Sequence, residues 1–190
     1  MTTTVVPVAA ARIPNALTIV RFALVPLFVV LMVKADGGHS WPAGIVFGVA
    51  AVTDQVDGWL ARRWRVESQF GRYADPLADR LMIDAAVLLL FLADRLPWAA
   101  LAIVVARDLV LVAGAPLVAP RGYRFSVNLL GKLATWVLYA AVAAVIVTHA
   151  GDDWPHWLFW TGVGLALAAG GLYAGGAARA VQRSRKAVSR

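Results

Sequence analysis

Residues 54–79 read DQVDGWLARRWRVESQFGRYADPLAD, and they place four aspartates inside two segments whose flanks are strongly apolar. Asp54 and Asp57 fall in one predicted helix, Asp75 and Asp79 in the next. A lone ionised carboxylate in a bilayer core costs a few kcal/mol, so each must be compensated. Spacings of three and four residues put each pair on one face of its helix. Two neighbouring helices then present four carboxylates to a common point. Four converging anions repel unless a cation joins them, and a divalent metal resolves the conflict. The donors are all oxygen, which suits Mg²⁺ or Mn²⁺ held together with substrate phosphates rather than Zn²⁺. Two such ions about 4 Å apart serve both oxygens of a phosphoryl-type displacement.

The residues between the aspartates support the same chemistry. Gly58 and Ala61 continue the Asp54 and Asp57 face with almost no side chain, leaving room for a bulky ligand against the helix. Arg62 ends that face with a guanidinium suited to bidentate pairing with a diphosphate. Gly71, one turn before Asp75, lets the two helices approach closely.

Outward from this block the chain is apolar almost throughout. Of its 190 residues 61% are hydrophobic and 15% charged, against about 25% charged in soluble domains. Six apolar stretches of spanning length are expected near Ala16 to Val33, Ala43 to Ala61, Tyr73 to Ala93, Trp98 to Val118, Leu129 to Thr148 and Trp157 to Ala178. The fold class is therefore an all-α integral membrane protein, a six-transmembrane-helix bundle, with residues 1–190 forming one domain. The first span is read as part of the mature chain, because residues 1–15 lack the pattern of a signal peptide. Arg62, Arg63, Arg65, Arg72, Arg121 and Arg124 mark inner loops. With Arg179, Arg183, Arg185, Lys186 and Arg190 in a basic tail (179–190), they make both termini cytoplasmic. Asp36, Asp94, Asp152 and Asp153 mark the outer loops, where only Lys34 and Arg95 break the rule. Trp41, Trp98, Trp154 and Trp157 gather at the outer ends, as interfacial indoles do. The net charge of +7 is thus assigned to the membrane surface and not to nucleic acid. Cysteine is absent, which excludes disulfides and thiolate chemistry.

The pattern Asp54-x-x-Asp57-Gly58-x-x-Ala61-Arg62, eight residues, then Gly71-x-x-x-Asp75-x-x-x-Asp79 resembles in full the signature of the CDP-alcohol phosphotransferase family. Pro14-Asn15-x-Leu17-Thr18-x-x-Arg21 is similar to the start of the first helix in its bacterial glycerophospholipid branch. The resemblance implies a membrane enzyme, commonly a homodimer, whose site opens to the cytoplasm. It implies that Asp54, Asp57 and Asp75 are ligands to Mg²⁺ or Mn²⁺, and that Asp79 is both a ligand and the general base. Asp54, Gly58, Ala61, Arg62 and Gly71 would bind the CDP moiety of CDP-diacylglycerol, with CMP as leaving group.

For the acceptor, Arg107 and Lys132 are intramembrane cations able to hold a phosphate. Phosphatidylglycerophosphate synthases are similar in the aspartate block but typically carry Arg-Glu at 107–108 and a second lysine where Ala134 stands. Asn128 to Thr135 looks like the CMP-forming cardiolipin synthase branch. The preferred acceptor is accordingly phosphatidylglycerol, giving cardiolipin; the alternative is glycerol 3-phosphate, with an inositol phosphate less favoured. A transporter or an inactive scaffold is the rival class; acidic groups crowded beside arginine and glycine near one leaflet favour the enzyme. Asp84 and Asp108 are read as partners of Arg80 and Arg107 or as cavity wall, and Lys132 also fits a snorkelling role. His39, His149 and His156 are read as solvated outer-loop residues.

Overall fold

A computed structural model of the chain describes residues 13–64, 69–118 and 129–188, with side chains described chiefly over 19–53, 80–110 and 129–172. Among the described residues there are six α-helices and no strand: α1 (Ile13–Val33), α2 (Trp41–Trp64), α3 (Gln69–Leu92), α4 (Trp98–Val118), α5 (Leu129–Val147) and α6 (Trp154–Val188). A single 3-10 turn, Asp36–Gly38, lies between α1 and α2. Each helix coincides with an expected apolar stretch, and the ends agree within a few residues except at α6. There the basic segment expected as a tail continues the helix to Val188. Ala177, Ala178, Ala180, Gln182 and Arg183 are good helix formers, and no proline follows to stop them. By length and composition, one helix among the described residues, α5, qualifies to cross a membrane, at mean hydropathy 1.9. Among the described residues, α1 and α2 have apolar parts at Ile19–Val33 and Trp41–Thr53.

The chain divides into two compact units. The first comprises Met1–Arg95 with Ala143–Ala150. In it α1 lies against both α2 and α3, and α2 meets α3. The α1–α2 hairpin is locked by Phe28 and Phe47, whose ring centroids are 5.8 Å apart. Ser40 fixes the start of α2: its Oγ accepts from Ala43 N at 3.2 Å, an N-cap bond, and its own N–H donates to Ile146 O at 2.9 Å. A Cβ at Gly44 would overlap Val147, so glycine is what lets α2 approach the end of α5.

Arg95, just beyond α3, ties the ends of α1 and α5 together. It is 5% exposed and donates to Thr148 O at 2.9 Å, His149 O at 3.3 Å and Gly37 O at 3.4 Å. Carbonyls at and beyond a helix C-terminus carry the negative end of the helix dipole, which a guanidinium offsets. Gly38, at φ +69°, leaves space for the Arg95 stem: a Cβ there would stand 2.9 Å from Arg95 Cγ and 2.8 Å from Ala93 Cβ. Arg95, an exception to the charge pattern expected of outer loops, is a structural clasp. His39 likewise departs from expectation: it is half-buried and stacks on His149, ring centroids 4.1 Å apart and 20° from parallel.

The second unit comprises Leu96–Val142 with Gly151–Arg190. Here α4 and α6 pack together. Gly162 of α6 passes so close to α5 that a Cβ would lie 3.1 Å from the Leu138 backbone. Ala100, Val104, Ala134, Leu138, Phe159 and Val163 are buried. The helix exteriors are apolar, with Ile19, Ile45, Val52, Leu109, Leu133 and Leu172 exposed, and Trp41, Trp98, Trp154 and Trp157 exposed at helix starts. Apolar exteriors on this scale mark a surface that is not meant for water.

Arg95→Ala is expected to lower stability by about 2–3 kcal/mol, since buried carbonyls lose a charged donor. Thermal unfolding of the detergent-purified protein measures it, and Arg95→Lys is expected to fall between the two.

Candidate functional site

The aspartates occupy helical backbone in α2 and α3; the side chains of Asp54, Asp57, Gly58, Ala61, Arg62, Gly71, Asp75 and Asp79 lie outside the described residues, as do Arg65, Glu67, Arg121 and Arg124 altogether. Helix register nevertheless fixes which face each position occupies. On α2, Ala43, Phe47 and Ala50 are buried, and intervals of three and four carry that stripe on to positions 54, 57, 58 and 61. The opposite stripe, Ile45, Val49, Val52 and Val56, is exposed. Val56, 47% exposed between the two aspartates, shows that the register persists into the site. On α3 the buried stripe of Met82, Ala86 and Leu90 runs back through positions 79 and 75. Both aspartate pairs therefore stand on the continuation of inward-facing stripes.

Depth agrees as well. Gly38, in the turn between α1 and α2, adjoins Ala93 just beyond α3, so α3 ends level with that turn. Asp54 stands thirteen residues along from Trp41 and Asp79 thirteen back from Leu92, each about 19.5 Å at 1.5 Å per residue. Positions 54 and 79 share one level, with 57 and 75 about one turn deeper.

At that level lies a residue whose importance the sequence reading passed over, quoting it only within a motif. Arg21 of α1 is 1% exposed, on the same stripe as Phe28 and Met32. The available signal was a cation inside an apolar helix with buried aromatic and aliphatic residues at i+7 and i+11.

In the second unit, Arg107 and the buried Asp108 form an ion pair at 3.2 Å, the pairing expected for Asp108. Arg107 also lines a narrow apolar cleft with Ile103, Val104, Leu138, Val163 and Ala166. Lys132 is exposed one turn into α5, and next to it Thr135 Oγ1 donates to Gly131 O at 3.0 Å. Asp84 and Arg80 are both half-buried and four residues apart on α3, which places them on one face, away from the stripe of positions 75 and 79. Among the described residues no three metal-ligating side chains come together.

A family model described as CDP-alcohol phosphatidyltransferase matches residues 11–168. The chain is 32% identical over 148 residues to the CDP-diacylglycerol–glycerol-3-phosphate 3-phosphatidyltransferase of Bacillus subtilis (strain 168), covering 72% of this chain and 77% of that protein. It is 34% identical over 168 residues to the protein of the same name from Pseudomonas fluorescens, 85% and 84% of the two chains. With that of Escherichia coli (strain K12) it shares 33% over 163 residues, 75% and 90%.

Asp108→Ala leaves Arg107 in its cleft without this carboxylate and is expected to cost about 1–3 kcal/mol. The double variant Arg107→Leu, Asp108→Leu is expected to recover part of the loss, because both members of the pair are then replaced by apolar groups. Thermal unfolding in detergent compares the two.

Proposed function

The chain belongs to the CDP-alcohol phosphatidyltransferase family, and from that premise we propose that it transfers the phosphatidyl group of CDP-diacylglycerol to glycerol 3-phosphate, releasing CMP. Family membership sets aside the transporter reading. The observation that carries the chemistry is the register of α2 and α3, which puts positions 54, 57, 75 and 79 on inward stripes of two helices in contact. The acceptor rests on relatives whose names specify glycerol 3-phosphate, and the sequence-based preference for phosphatidylglycerol gives way to it. Asp108 pairs with Arg107 as a glutamate there could. Ala134 is fully buried, so Arg107 and Lys132 are left as the acceptor cations.

Asp54, Asp57, Asp75 and Asp79 supply an all-oxygen donor set that fits one or two Mg²⁺ or Mn²⁺ ions. When bound, the metal neutralises charge on the diphosphate and on the departing CMP. Arg62 pairs with the diphosphate, and Gly58, Ala61 and Gly71 leave room for the nucleotide. Asp79 accepts the proton of the acceptor hydroxyl as its oxygen bonds to the phosphatidyl phosphorus. The phosphorus–oxygen bond to CMP breaks, and CMP keeps the electron pair. Orientation and fixed charge supply the acceleration. In this reading the six helices act as six membrane spans with both termini cytoplasmic and the site at the inner leaflet, and the chain pairs as a homodimer in keeping with the family resemblance. The family match runs through both units, which supports reading them as one domain.

Purified enzyme given CDP-diacylglycerol is expected to form phosphatidylglycerophosphate and CMP with glycerol 3-phosphate, and no cardiolipin with phosphatidylglycerol. Cardiolipin from the second mixture alone reassigns the acceptor. Asp79→Asn is expected to stay folded and lose about 10²–10⁴-fold in CMP release. Chelation of divalent cations is expected to abolish turnover, and undiminished activity after it removes the metal assignment.

A further inference from the structure

Arg21 combines nearly complete burial with a full positive charge, and burying a guanidinium is unfavourable unless an anion meets it with good geometry. Arg21 is engaged within the fold. Its level follows from the α1–α2 hairpin. Phe28 and Phe47 touch; seven residues back from Phe28 is Arg21, and seven on from Phe47 is Asp54, each two turns or about 10.5 Å away. Measured from the other end, Arg21 stands twelve residues before Val33, about 18 Å, against thirteen residues for Asp54 and for Asp79. Since α1 lies against both α2 and α3, its inward stripe faces the two stripes on which positions 54 and 79 stand.

The other acidic residues on the described parts of α1–α3 and their outer turns fit less well. Asp36 and Asp94 are at the outer turns and exposed. Asp84 is five residues nearer the outer end than Asp79, about 7.5 Å, and on a different face of α3.

We infer that Arg21 is a positioning residue of the carboxylate site, its guanidinium pairing with the carboxylates at its own level, Asp54 and Asp79. Such a cation offsets part of the repulsion among four converging anions and holds each carboxylate in one rotamer for its metal. It also docks α1 onto α2 and α3 at the level of the chemistry. A planar fork with five donors meets two carboxylates at once, which a lysine does less well. This inference rests on the reading of the aspartates as metal ligands.

The test uses the full-length enzyme in detergent with Mn²⁺, comparing wild type, Arg21→Gln and Arg21→Lys. Partners that orient metal ligands typically contribute about 10- to 100-fold. Arg21→Gln is therefore expected to lose that much in kcat at saturating Mn²⁺, with KM for both substrates unchanged and partial recovery in Arg21→Lys. A raised KM for CDP-diacylglycerol with unchanged kcat overturns the inference, because it makes Arg21 a substrate contact. If Arg21→Gln does not fold, Arg21→Met is combined with Asp54→Asn or Asp79→Asn. Recovery of a monodisperse, folded protein in either double variant supports the pairing, and failure of both overturns it. Electron paramagnetic resonance of Mn²⁺ with wild type separates the two readings. Wild type that binds no Mn²⁺ removes the metal reading and this inference together, whereas wild type that binds it leaves the first standing whatever Arg21 does.

Discussion

Charge inside an apolar helical bundle has to be met, and that requirement organises this protein. Water cannot reach the interior to solvate a guanidinium or carboxylate, so each must find a fixed partner. Arg95 finds carbonyls in two segments, the 3-10 turn and the end of α5, and so joins elements far apart in sequence. Arg107 and Asp108 meet each other. Arg21, buried deeper in the first unit, stands level with positions 54 and 79. The four aspartates at positions 54, 57, 75 and 79 gather like charge on two helices in contact, and the proposed cation answers the same requirement.

The same requirement explains why the helices are not uniformly apolar. α5 carries one charged residue, Lys132, near its start and has the composition of a membrane span. α1 carries Arg21, and α2 carries Asp54 and Asp57, within otherwise apolar helices. The halves that carry Phe28, Met32, Ala43 and Phe47 form the packed anchor from which the stripes continue toward positions 21 and 54.

Much of this was legible in the chain alone. The helices follow from long runs of Ala, Val and Leu broken by Gly, Pro and Asp, and a hydrophobic run of that length has few alternatives to a helix. The aspartate spacing placed each pair on one face, and the stripes of α2 and α3 agree with it. The expected span stopped short at α6, because the apolar run in the sequence ends at Ala178 while helix propensity continues. The preference for phosphatidylglycerol leaned on one substitution each at 108 and 134, where a carboxylate remains and a methyl is buried, and the named relatives favour the glycerol 3-phosphate alternative.

Local composition and spacing determined the helices, the faces on which the aspartate positions fall and the family, since these depend on the residues themselves and on distances of one or two turns. Only the tertiary structure decided which charges are buried and where they lie. Arg95 reads in sequence as an exception to loop charge, and Arg21 as one letter of a motif. Their roles depend on partners and levels set by other helices, more than fifty residues away for the Arg95 clasp, and no local pattern encodes such a meeting.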